Sequence, residues 1–116
     1  NPDEFEKQAL DRTHLNVSYV PPRYRSSYFN HIWGGAGYSA GYYAYLWTQM
    51  LADDAYQWFV DHGELTRANG DRFRQMVLSR GNTEDLARMY EHWRGAPPNT
   101  KAMLKYRGLG ESAPAK

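Results

Sequence analysis

The residues most able to do chemistry crowd into one stretch, "HIWGGAGYSAGYYAYLW", from His31 to Trp47. It holds one imidazole, four phenols and the glycines Gly34, Gly35, Gly37 and Gly41. On a helix each residue advances about 100°. Tyr38, Tyr42 and Tyr45 stand at i, i+4 and i+7, so a helix would gather them on one face within roughly 60°. The apolar residues Tyr43, Leu46, Trp47 and Met50 would centre well over 90° away. Such a face presents phenol hydroxyls rather than core. A glycine loop beside it admits another backbone closely, and folding that loop would return His31 to the same place. Phenol and imidazole donors around a cleft can hold peptide carbonyls or stabilise a developing oxyanion. The same residues also fit a plainer arrangement, in which the tyrosines pack on a neighbouring helix and the glycines only turn the chain. Arg23 and Arg25 have two readings as well: solvated loop charges, or charges facing an acidic partner.

Other chemistries find no support. His14, His31, His62 and His92 are far apart and none begins H-E-x-x-H, so no zinc motif is present. "GYSAG" places Ser39 among the wrong neighbours for a nucleophile elbow. "GGAGYSAG" has no lysine and is no P-loop. With 14 basic and 13 acidic residues the net charge is +1, which gives no general pull towards nucleic acid or an anionic membrane. No cysteine is present, which excludes disulfides and thiolate metal sites. No apolar run approaches the roughly 20 residues of a membrane span.

These residues must be positioned by a chain of 116 residues, the size of one domain. A chain of this length can bury about two thirds of its unfolded surface. Yet mean hydropathy is −0.83 and ten residues are tyrosine. Many half-polar rings suit a cleft, or a surface that packs against something else. "NPDEFEKQAL" reads as a short amphipathic helix with no signal-peptide shape. It lacks a starting Met, and the expectation is a chain that begins inside a longer protein. "THLNVSYVPPRYRSSYF" is interrupted by Pro21-Pro22 and reads as extended or loop. The glycine loop follows, over 33–41. A long helix is expected from about Ser39, as N-cap, to Val60, burying Tyr43, Leu46, Trp47, Met50 and Leu51 and ending at His62-Gly63. A second helix runs from Arg67 or Asn69 to Ser79, with Phe73, Met76 and Val77 inward, and "SRGN" ends it at Gly81. A third starts with Asn82 or Thr83 as cap and turns Leu86, Met89, Tyr90 and Trp93 inward. Thr100 caps a last short helix, and 110–116 reads as a flexible tail. The fold class is all-α with an irregular N-terminal quarter.

Four runs carry a resemblance: "YRSSYFNHIWGG", "GYSAGYYAYLWTQMLADDAYQWF", "FRQMVLSRGNTEDLARMY" and "WRGAPP", the last followed by "ML" and "GL". In this order they resemble the C-terminal end of M3-family zinc metallopeptidases, with bacterial peptidyl-dipeptidases the nearest branch. The resemblance covers about residues 4–109. It implies a segment, 1–109, of a mostly helical catalytic domain from an enzyme that hydrolyses short peptides in a deep channel. It implies zinc in the full-length enzyme, held by ligands outside this chain, and none bound by this segment. Partners are then a short peptide substrate and the N-terminal remainder of the same enzyme, with no nucleic acid and no membrane, in cytoplasm or periplasm. By the same resemblance His31 matches the histidine that contacts substrate near the scissile bond. Tyr38 closes the glycine loop, and Tyr42 is a further substrate-side tyrosine. Gly34, Gly35 and Gly37 form the hinge-like loop over bound peptide. Tyr45 matches the tyrosine whose hydroxyl stabilises the tetrahedral oxyanion. "GGAGY" is one residue longer than the family's usual "GGGY" or "AGGY", which bears on how His31 reaches Tyr38. The segment alone is expected to be inactive. The alternative is a non-catalytic helical module that binds peptide through its tyrosine face.

Overall fold

The structure is a computed structural model and describes residues 1–110. It is all-α: six α-helices and two shorter helical turns, with only an isolated bridge between Val17 and Val20 among the described residues. The chain divides into two compact units, one ending at Tyr43 and the other beginning at Ala44. Of the flexible tail expected over 110–116, all but Gly110 lies outside the described residues.

In the first unit α1 spans Pro2–Arg12. Asn1 caps it by accepting from the Asp3 amide at 3.0 Å, and Pro2, Asp3 and Glu4 fill a first turn where proline and negative charge are favourable. Glu6 ties α1 to the loop that follows. Its carboxylate accepts from Arg25 Nη1 at 2.8 Å, the Ser26 amide at 2.7 Å and Ser26 Oγ at 2.8 Å. Arg25 therefore faces an acidic partner, and the partner is in this chain. After a 3₁₀ turn over Ser26–Tyr28, a single helical turn, α2, covers Asn30–Trp33. Trp33 Nε1 closes it back by donating to the Ser26 carbonyl at 2.7 Å.

The second unit begins with α3, Ala44–Asp61. It continues with α4 (Arg67–Phe73), a π-helical turn (Arg74–Leu78), α5 (Leu86–Arg94) and α6 (Lys101–Tyr106). Trp58, Phe59 and Trp93 make the core, with Ala55, Phe73, Met76, Val77 and Tyr90 packed around them. The expected inward residues of the second helix are thus in place, and its last turn is π rather than α. Ring centroids lie 4.9 Å apart for Trp58 and Trp93 and 4.8 Å for Phe73 and Trp93, which is aromatic packing distance. α3 packs on α6, where Met103 and Ala102 are buried.

Four sequence expectations are corrected here. α3 starts at Ala44, not Ser39. Ser39 Oγ donates to the Ala36 carbonyl at 3.0 Å and caps no helix. Gly41 lies where the first turns would have been, and glycine there weakens a helix by about 1 kcal/mol. The expected stripe of α3 is buried only in part: Met50 is 6% exposed, Leu46 54% and Trp47 55%. Burial instead moves down the helix to Asp54, Trp58 and Phe59, where α5 and α6 supply partners. α5 is capped by Asp85, which accepts from the Arg88 amide at 2.9 Å, and not by Asn82 or Thr83, and its Leu86 is exposed. Thr100 makes no side-chain cap; Asn99 Oδ1 takes the Lys101 amide at 3.0 Å instead.

Helix ends in this unit follow backbone handedness. Gly95 takes φ +84° as the C-cap of α5. Gly63, at φ +89°, follows α3, and His62 beside it stacks on Trp58 at 4.1 Å with Nδ1 2.7 Å from the Trp58 carbonyl.

Candidate functional site

In the first unit the chain gathers an aromatic cluster around His31. α2 holds His31 at its second position, and the turns over 36–43 bring two tyrosines to it. The His31 and Tyr38 rings lie 4.5 Å apart at 41°, and the His31 and Tyr42 rings 5.6 Å apart, edge to face at 82°. Tyr42 meets Phe29 at 4.8 Å, and Phe29 meets Tyr24 at 4.9 Å. The Arg23 guanidinium sits 5.2 Å from the Tyr24 ring centre, at cation–π range. Tyr38 is 39% exposed and Tyr42 half-buried, so both residues are only partly covered.

Three of the expected site residues, His31, Tyr38 and Tyr42, therefore stand together, but not by the expected route. Tyr38, Tyr42 and Tyr45 do not share a helical face, because 37–43 runs through turns. Tyr38 and Tyr42 converge on His31 because the turns fold back on α2. The glycine loop spans this return. Phe29 and Tyr24 complete the cluster and were not singled out in sequence. The available signal was the aromatic density of "RYRSSYFNH" just before His31.

The glycines divide by role. Gly34 donates its amide to the Asn30 carbonyl at 2.6 Å, and a Cβ there would lie 2.8 Å from that oxygen. Only glycine fits. At Gly35 and Gly37 a Cβ would meet nothing within 4 Å, and neither takes left-handed backbone. These two leave room rather than solve a turn.

Tyr45 belongs to the second unit, at the second position of α3, and is 49% exposed. Down the same helix lies Asp54, 1% exposed and saturated with donors. Arg94 grips it with Nε on Oδ2 at 2.7 Å and Nη2 on Oδ1 at 2.8 Å. Tyr90 donates to Oδ2 at 2.8 Å, and Asn99 Nδ2 to Oδ1 at 3.0 Å. Burial, with Asp54 beside it, pushes the Tyr90 hydroxyl well above the usual tyrosine range, so it stays a donor. The hydrogen bond to Asp54 likewise holds Arg94 above its ordinary value. Sequence reasoning missed Asp54, although it stands at helical spacing from Met50, Leu51 and Trp58, because an acid is not counted among inward residues until its donors are known.

Among the described residues, no group of three or more His, Asp or Glu is placed to hold a metal ion. No helix among them is long and apolar enough to cross a membrane.

An all-α chain that clusters an imidazole with two phenols, and carries a further phenol at the start of a long helix, has donors suited to peptide carbonyls. Comparison with known proteins gives the class a name. Residues 2–109 match the pattern of Peptidase family M3, and the chain belongs to that family. It is 66% identical over 106 residues to dipeptidyl carboxypeptidase of Salmonella typhimurium, covering 91% of this chain and 15% of that protein. Against dipeptidyl carboxypeptidase of Escherichia coli the identity is 64% over 107 residues, covering 92% and 16%. Oligopeptidase A of Salmonella typhimurium is 42% identical over 81 residues, covering 70% and 12%. The chain thus spans about 15% of the length of the dipeptidyl carboxypeptidases it matches.

Proposed function

We propose that this chain is the part of a zinc-dependent peptidyl-dipeptidase that supplies substrate-binding and oxyanion-stabilising groups. The observation that carries this reading is the 64–66% identity to two proteins named dipeptidyl carboxypeptidase over nine-tenths of the chain. His31, Tyr38 and Tyr42 hold the peptide near its scissile bond through imidazole and phenol hydrogen bonds. Gly34, Gly35 and Gly37 let the loop approach the peptide backbone. Tyr45 donates its hydroxyl to the oxyanion of the tetrahedral intermediate, where a donor placed in advance is worth more than in water. Zinc, bound by residues outside this sequence, supplies a Lewis acid and an activated water. The alternative is a non-catalytic helical module that binds peptide through these tyrosines.

In the full-length enzyme, Tyr45→Phe is expected to lower kcat about 10²–10³-fold, the effect of losing one oxyanion donor. KM should hardly move. An unchanged kcat removes Tyr45 from this role. The 116-residue chain alone, supplied with zinc, is expected to release no dipeptide, because it has no H-E-x-x-H. Measurable turnover by the purified chain would overturn the division of labour.

A further inference from the structure

We propose that Asp54 is a positioning residue, the buried clamp that aims the Tyr45 end of α3. The inference rests on the reading of Tyr45 given above. Asp54 receives donors from Tyr90 and Arg94 on α5 and from Asn99 in the segment before α6. One carboxylate thus joins three segments of the second unit. The Tyr90 hydroxyl also lies 3.2 Å from the Leu51 carbonyl, a second tie to the same turn of α3.

A buried ion pair gains little net stability over an apolar pair, because desolvation offsets the attraction. Its geometry, by contrast, is strict. A forked guanidinium donates to a carboxylate in one plane and one direction. Such a clamp contributes orientation more than free energy.

Orientation matters here because α3 acts as a lever. The buried residues of α3 are Met50, Asp54, Trp58 and Phe59, whereas Leu46 and Trp47 above them are half exposed. Burial is thus concentrated in the C-terminal part of the helix, and the Tyr45 end is its more exposed end. Nine residues separate Tyr45 from Asp54, about 13 Å of helix. A tilt of roughly 5° at Asp54 would move Tyr45 by about 1 Å, and a displacement of that size can lower a rate about 100-fold.

The test uses the full-length enzyme with 3-fluorotyrosine incorporated at position 45. Arg94→Lys keeps the charge and loses the fork; Tyr90→Phe removes one hydroxyl and keeps the ring. Each variant is compared with its parent by fluorine NMR, far-UV circular dichroism and steady-state kinetics on a short peptide. With unchanged helical content, both should shift and broaden the fluorine line. They should lower kcat about tenfold or more with little change in KM. With Phe at position 45, the same two substitutions should cost almost nothing further in kcat, the non-additivity of residues acting through one another. A fluorine line that stays put in both variants overturns the proposal. So does an equal loss of kcat whether Tyr or Phe occupies position 45. Failure of the Tyr45 reading is separately visible: Tyr45→Phe alone would leave kcat unchanged, while the fluorine line still reports whether the clamp aims the helix.

Discussion

At the scale of residues, the glycines make the sharpest distinction. Gly34 is confined by the Asn30 carbonyl, whereas Gly35 and Gly37 face open space with ordinary backbone handedness. Gly34→Ala should destabilise the first unit, because a methyl 2.8 Å from a carbonyl oxygen must displace α2. Gly35→Ala and Gly37→Ala should stabilise it by about 0.4–1 kcal/mol each, by reducing the freedom of the unfolded chain. Urea unfolding of the three variants checks the opposite signs. If peptide must approach the loop closely, the last two substitutions should also raise KM in the full-length enzyme. Glu6 supplies a pH dependence. The Arg25 hydrogen bond, then those of Ser26, lower its carboxyl from 4.5 to about 2. A carboxyl lowered on folding stabilises the fold above its unfolded value and loses that contribution as pH falls through the folded one. The unfolding midpoints of the parent and of Glu6→Gln should therefore differ above about pH 4.5 and converge as pH approaches 2.

At the scale of elements, chain breaks and caps set the frame. Pro21-Pro22 keeps the segment before α2 from joining α1 as helix. Gly95 in left-handed backbone ends α5, and its partner end is capped by Asp85. The start of α3 shows why periodicity misled. The i, i+4, i+7 spacing of Tyr38, Tyr42 and Tyr45 satisfies a helix on paper, but Gly41 interrupts it and the chain turns instead. Tyr38 and Tyr42 then reach His31 through loop geometry, which no hydrophobic period encodes. In the same way Asn82, Thr83, Glu84 and Asp85 all resemble helix-start residues. Only the amide that finds a side-chain oxygen decides among them.

At the scale of the whole molecule, two compact units share one chain, and among the described residues only the second has a cluster of buried aromatic residues. Trp93, at 0% exposed, is the centre of that core, touching Trp58, Phe59, Phe73 and Tyr90. Its carbonyl also accepts from Arg72 Nη2 at 2.6 Å. Trp93→Ala should destabilise the second unit by about 3–5 kcal/mol, through lost burial and a cavity that this interlocked set of rings cannot close. Its unfolding midpoint should fall, and amide exchange in α3 and α5 should quicken. Ring contacts around His31 in the first unit should be unaffected, which proton chemical shifts of His31, Tyr38 and Tyr42 would report.

The sequence by itself determined the fold class, most of the helices and the family. Helical periodicity and the punctuation by glycine and proline are local, and a run such as "GYSAGYYAYLW" is specific enough to identify M3 relatives. It also singled out His31, Tyr38 and Tyr42, whose rings the fold brings together through turns and not on one helical face. Tertiary structure decided where α3 begins, which half of it is buried, how His31 meets two tyrosines, and that Asp54 is an interior charge. Each of those depends on partners distant in the chain. Asp54 is buried because Tyr90, Arg94 and Asn99, 36 to 45 residues away, supply every hydrogen bond its carboxylate needs. Local spacing sets Asp54 on the same helical face as Met50, Leu51 and Trp58, but a local pattern cannot carry the identity of the distant donors that satisfy a carboxylate there.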